Sequence, residues 1–125
     1  MSRIILLVGF GGALGSIGRY LAQQLAARYI LSTFPYGTFA VNVLGCLLIG
    51  LIYGLSARTG WLSPEWRIFL ATGFCGGFTT FSTFSYEGVM LMNDGEYLSL
   101  AAYITLSVVV GMLATIGGIA LTKLI

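Results

Sequence analysis

The chain has 125 residues, 58% of them hydrophobic and 8% charged, with a mean hydropathy of +0.96. A soluble domain carries roughly a quarter charged residues, so this composition belongs in a bilayer. The net charge of +2 is scattered and offers no footprint for nucleic acid, and the chain has no histidine, no cysteine pair and no paired carboxylates for acid–base or metal chemistry.

A membrane helix takes about 20 residues, which allows about four spans and leaves no room for a soluble domain. The predicted architecture is a single all-α domain over 1–125, with spans at 4–30, 36–57, 64–92 and 97–124. The links are short, so sequential spans run antiparallel.

Met1-Ser2-Arg3 followed by an apolar run has the start of a secretory signal, but the run outlasts a short signal core and reads as the first membrane helix. Ser16, Arg19 and Gln23 share one helical stripe. Arg19 is costly in hydrocarbon, which marks it either as a functional group or as an arginine snorkelling from a helix end.

In the second span, Thr38 and Asn42 are one turn apart. Asn42 offers two N–H donors and one acceptor. Alone, such a residue serves as an interhelical hydrogen bond worth about 1 kcal/mol. Cys46 here and Cys75 in the third span lack metal-ligand spacing and read as packed small side chains.

The link Arg58-Thr59-Gly60-Trp61-Leu62-Ser63 leads into Ser63-Pro64, an N-cap followed by proline at the first helical position. The third span then holds the most unusual run of the chain. Residues 73–86 read Gly-Phe-Cys-Gly-Gly-Phe-Thr-Thr-Phe-Ser-Thr-Phe-Ser-Tyr, polar in the middle of an apolar span. Gly76 and Gly77 each weaken a helix by about 1 kcal/mol relative to alanine. Thr79, Thr80 and Thr83 compete for backbone groups. Two half-helices are therefore predicted, Pro64–Cys75 and Thr80–Met92, with the break at membrane depth. Such breaks present carbonyls to cations and positive helix starts to anions. Phe81 and Phe84, spaced i, i+3, can flank one surface and turn positive ring edges toward an anion, or can simply pack. Glu87, one turn past Thr83, either closes a polar path or pairs with an arginine.

The fourth span aligns Tyr103, Ser107 and Gly111, with Thr115 and Thr122 on a nearby face. Any one hydroxyl is ordinarily satisfied by its own helix, but a stripe beside a helix break suggests a path. Small pairs (Gly11 with Gly15, Gly50 with Gly54, Ala114 with Gly118) predict close helix packing within one subunit. Trp61, Trp66, Tyr36 and Tyr97 fall where interface aromatics belong. Arg3, Arg58, Arg67 and Lys123 lie on one side and Arg28 on the other, a weak bias compatible with one orientation or with both.

The segment 76–85, Gly-Gly-Phe-Thr-Thr-Phe-Ser-Thr-Phe-Ser, closely resembles the third-helix signature of the Fluc-type fluoride channels. The likeness extends over nearly the whole chain: its length, four spans, Gly18-Arg19, Asn42 followed by Gly45, and the Tyr103/Ser107 stripe. The resemblance implies an antiparallel, dual-topology homodimer in the cell membrane, with the third helix broken mid-membrane. It implies two fluoride pores, each built from both subunits, that let fluoride leave the cytoplasm passively. Phe81 and Phe84 resemble the rings lining the fluoride path, and Asn42 the pore asparagine. Ser82, Thr83, Tyr103 and Ser107 resemble the hydroxyl track. The carbonyls of Gly76 and Thr79 match those holding a structural sodium ion at the dimer centre. Arg19 matches the first-helix arginine and Glu87 a family acid; with Thr38 they are vestibule candidates. Gly111 stands where some relatives have serine.

Two other functions compete with a passive channel. A proton-coupled transporter similar to the small multidrug-resistance proteins would need a carboxylate in the first span, where this chain has Arg19 and no acid. A structural subunit of a larger complex would scatter its polar residues for packing, without a donor stripe beside a helix break.

Overall fold

The computed structural model describes residues 1–58 and 60–125. Thr59, within the link between the second and third predicted spans, lies outside the described residues. Among the described residues all regular secondary structure is helical, without strands. The elements are α1 (Ser2–Tyr29), α2 (Tyr36–Arg58), α3 (Pro64–Arg67), a π-helical segment (Ile68–Cys75), α4 (Gly76–Phe78), α5 (Phe81–Asn93) and α6 (Tyr97–Thr122). Helices α1, α2 and α6 are each long and apolar enough to cross a membrane.

Local chemistry sets the ends. Ser63 accepts a hydrogen bond from the Trp66 N–H at 3.2 Å, and Pro64 follows, as the capping pattern requires. Helix α5 ends in a Schellman turn: Gly95 N–H donates to Met92 O at 3.1 Å and Glu96 N–H to Leu91 O at 2.9 Å. Gly95 has φ +73°, which a side chain resists, and this turn folds α6 back on α5.

The helix before the break runs three residues further than predicted, to Phe78, and the helix after it starts one residue later, at Phe81. Gly76 and Gly77 do not interrupt the helix; Gly76 has helical φ −61°, ψ −37°. The chain leaves the helix only at Thr79 (φ −87°, ψ 159°) and Thr80 (φ −151°, ψ 122°). Glycine's helical cost is outweighed here because Gly77 lies against α1. A Cβ at Gly77 would strike the Gly12 carbonyl and come within 3.0 Å of Ser16 N. The stretch before the break is also π-helical rather than α-helical over Ile68–Cys75. That segment crosses α1 at Gly11 and Gly15, where backbones touch: a Cβ at Gly11 would lie 2.6 Å from the Phe69 carbonyl.

Helices α2 and α6 form the second tight crossing. A Cβ at Gly118 would lie 2.5 Å from Leu47 O and 2.8 Å from Leu51 N. The small pairs thus seat helices inside one subunit, as their spacing predicts. At this end of the bundle a set of polar contacts ties the spans together. Arg3 pairs with Glu65 at 3.0 Å, Arg67 donates to Ser56 Oγ at 3.2 Å, and Arg58 donates to Thr122 O at 2.6 Å. Arg58 thereby caps the carbonyl end of α6, where a cation is favoured.

Overpacking a closed crossing costs about 1–3 kcal/mol. Gly118→Ala is expected to lower the midpoint temperature at which detergent-solubilised protein remains monodisperse. Gly117→Ala, which meets no atom within 4 Å, is expected to leave it unchanged.

Candidate functional site

Two extended residues between helices leave backbone groups without ladder partners, and in a bilayer these must be met inside the protein. Thr79 N–H still reaches Cys75 O at 3.0 Å. The next donor, Thr80 N–H, turns away and donates to Asn42 Oδ1 at 2.8 Å. Asn42 Nδ2 returns a bond to Thr80 O at 3.0 Å. One side chain of α2 therefore satisfies both backbone groups of one residue, in the two-bond geometry of a strand pair. One Asn42 N–H remains for another acceptor.

On the upstream side, Arg19 Nε donates to Gly77 O at 3.1 Å, and Ser16 Oγ lies 3.5 Å from the same oxygen. Arg19 is thus a cap on the carbonyl end of the helix before the break rather than an arginine snorkelling toward solvent. Gln23 Nε2, further along the stripe, donates to Thr38 Oγ1 at 3.0 Å. The stripe of Ser16, Arg19 and Gln23 is the seam along which α1 meets the break and α2.

Downstream, Thr80 Oγ1 caps α5 by accepting from Thr83 N–H at 3.2 Å, and donates to Thr83 Oγ1 at 3.1 Å. Ser82 Oγ lies 3.4 Å from the same hydroxyl and is exposed. Thr80, expected to compete for backbone groups at the start of the second half-helix, has every polar atom engaged, and its pairing with Asn42 is the part that sequence reasoning missed. Its cap on α5 had a signal: a threonine three residues before Thr83 at the start of an amphipathic run is an N-cap.

Behind the break lies a cavity of about 430 Å³ whose walls include Asn42, Thr80, Phe81, Phe84 and Ser107. The Phe81 and Phe84 rings are 5.7 Å apart at 45°. Phe81 is 79% exposed in the single chain. Ser107 Oγ is buried without a hydrogen-bond partner. A buried hydroxyl is costly unless something accepts its proton. The lining of the cavity therefore brings two hydrogen-bonding side chains, Asn42 and Ser107, together with two phenyl rings beside the start of α5.

A second cavity, about 580 Å³, opens beyond the Asn42 end of α2 and is lined by Gln23, Phe34, Thr38, Thr83, Tyr86 and Glu87. Of the expected track, Thr83 therefore lies on this cavity rather than on the first. Tyr103 is fully buried and donates to Glu87 Oε1 at 3.2 Å. Glu87 thus meets a tyrosine, where an arginine partner was an open alternative. This pairing was readable in the register: Glu87 and Tyr103 are equally distant from the Gly95 turn.

Fold and site define a small, multi-pass helical membrane protein whose buried polar groups converge on one interrupted helix. Comparison with known proteins gives the family. Residues 6–119 match the model described as "CrcB-like protein, Camphor Resistance (CrcB)", and the chain belongs to this family. It is similar to the "Fluoride-specific ion channel FluC" of Leptospira interrogans, with 46% identity over 98% of this chain and 96% of that protein. The protein of the same name from Chlorobaculum tepidum is 51% identical over 96% of this chain and 94% of its own length. That from Flavobacterium psychrophilum is 44% identical over 97% and 98%.

Asn42→Ala removes both partners of the Thr80 backbone, each worth about 1–3 kcal/mol once left unmade. Amide exchange at residues 80–83 is expected to quicken about tenfold or more, while exchange at the α2–α6 crossing stays as in the wild type. Hydrogen–deuterium exchange with peptide mass analysis reads both regions at once.

Proposed function

We propose that this protein is a fluoride channel through which fluoride leaves the cytoplasm passively. The relatives of the chain carry that name over almost their full lengths. The observation that carries the reading is one cavity lined jointly by Asn42, Phe81, Phe84 and Ser107, the last with a buried hydroxyl that has no hydrogen-bond partner in the single chain. Fluoride is small and strongly hydrated, so a narrow path must replace its water with donors. Hydroxyls, an amide and ring edges do so without a full positive charge that would hold the ion back. Arg19, the one arginine near the break with a bond to it, spends that bond on the Gly77 carbonyl.

The working unit we infer is an antiparallel, dual-topology homodimer in the cell membrane, with the break between α4 and α5 at mid-membrane and two pores. Its support is an exposed face that suits protein better than lipid. Thr72, Gly76, Phe81, Ser82 and Ser85 all lie open in the single chain. Hydrocarbon disfavours such hydroxyls beside an interrupted backbone, and a second copy of the same face answers them.

Sodium at the centre of that dimer fits the residues present. Thr80 N–H, the next donor of the helix ladder, is turned to Asn42, which frees the Gly76 carbonyl; no atom lies within 4 Å of a Cβ built on Gly76. Carbonyl oxygens suit a hard cation, and Gly76 and Thr79 from two subunits would provide four. A cation there supplies fixed positive charge that joins the two breaks and favours anions nearby. Helix α4 brings Gly76 to this position, and Asn42 keeps the Thr80 amide out of competition for its oxygen.

Reconstituted into liposomes, the protein is expected to pass fluoride and largely exclude chloride, measured with ion-selective electrodes; equal chloride flux defeats the reading. Phe81→Ile and Phe84→Ile are each expected to reduce fluoride flux about tenfold or more while the dimer survives on gel filtration. Flux at the wild-type level in both variants assigns the rings to packing. A cysteine tag at the C-terminus is expected to react with impermeant reagents from both sides of the membrane, and labelling from one side alone removes dual topology.

A further inference from the structure

The two cavities described above do not share Tyr103. The first is walled by Phe84 and Ser107, the second by Thr83 and Glu87, and Tyr103 lines neither. Its ring is fully buried, with Phe84 at 4.8 Å on one side and Phe34 at 5.4 Å, edge-on, on another. Phe34 belongs to the short link before α2, packs on Tyr36 at 4.7 Å, and also lines the second cavity. The aromatic row Phe34, Tyr103, Phe84, Phe81 is therefore a partition, with Tyr103 as its middle panel.

The Tyr103 hydroxyl is not free to serve an anion in this arrangement. Its proton is given to Glu87 Oε1 at 3.2 Å. A carboxylate is itself an anion with the acceptor chemistry fluoride offers, so the two compete for one O–H. Among the described residues, Glu87 has no cation within ion-pair distance; the ion pair present is Arg3–Glu65 at the other end of the bundle. The groups around it are neutral: Tyr103 from α6, Thr38 from α2, Gln23 from α1 and Tyr86 on its own helix.

We propose that Glu87 is a positioning residue that latches the Tyr103 partition, standing in for the anion when none is present. Fluoride entering from the second cavity takes over the Tyr103 proton, releases the ring from Glu87 and passes to the donors around Ser107. Phe34 is the stop against which the ring closes. The covalent O–H bond of Tyr103 stays intact in this exchange; its hydrogen bond to Glu87 breaks and one to fluoride forms. The latch rests on the fluoride-channel reading and adds to it a residue that sets how tightly the ion must bind to pass.

Glutamine at position 87 keeps the shape and offers a neutral acceptor, which competes less well than a charged one. In liposomes, Glu87→Gln is expected to lower the fluoride concentration giving half-maximal flux by about tenfold. In a Tyr103→Phe background, which has no proton to contest, the same substitution is expected to change it less than about twofold. A packing role for Glu87 predicts an equal change in both backgrounds, and that outcome overturns the latch. Infrared spectroscopy provides a reading that needs no change at position 87. With Glu65 and Glu96 replaced by Gln and the remaining glutamate isotope-labelled, fluoride is expected to shift the Glu87 carboxylate band and chloride to leave it. A band unmoved by fluoride, in protein that passes fluoride, overturns the latch alone. Protein that passes no fluoride overturns the channel reading and the latch with it.

Discussion

Stopping a helix leaves peptide groups without their ladder partners, and the rest of this fold is arranged around that one cost. The exchange between Asn42 and Thr80 meets it most directly: 2.8 Å in one direction and 3.0 Å in the other replace the missing rungs of the ladder. Arg19 meets the carbonyl end at Gly77, and Thr80 itself caps the helix that follows. With those groups settled, the interruption becomes a place where helix ends, hydroxyls and rings can face a cavity. Without them it would close into a continuous helix or open to water.

The same constraint explains how charge is used. A guanidinium near an anion path would hold the ion too strongly to release it. Arg19 lies at the carbonyl end of the upstream helix, where its charge meets a partial negative charge. The start of α5 lies beside the cavity, with neutral side chains in its lining. At the far end of the bundle, Arg58, Arg67 and the Arg3–Glu65 pair bind spans to each other and to the α6 terminus.

Close backbone contact makes this precision possible. Gly11, Gly15 and Gly77 bring α1 against the interrupted span, and Gly50, Gly54 and Gly118 bring α2 against α6. In lipid, helices gain little from hydrophobic burial against one another, so contact distance and hydrogen bonds carry the association. The three long helices are then rigid enough to hold Asn42, Arg19 and Tyr103 at hydrogen-bond distance from one short segment.

Much of this was legible in the chain. Apolar runs of membrane length, Ser63-Pro64, Gly95 and the small-residue pairs each act within one or two helical turns, so sequence alone determined the three long apolar helices, the links and which faces pack closely. It also determined the family, through the run 76–85. The point at which the helix stops was decided elsewhere. Gly76 and Gly77 have the weaker helical preference, but Gly77 is pressed against α1 and stays helical, while Thr80 is drawn out by an asparagine 38 residues away. The π-helical stretch, the Arg19 cap on Gly77 and the unpaired Ser107 likewise depend on which helices touch. Local preferences near the break differ by about 1 kcal/mol per residue, and a pair of buried hydrogen bonds outweighs that. Composition and pattern therefore determined that a polar interruption lies in the third span, and only the packing of α1 and α2 decided where its backbone turns.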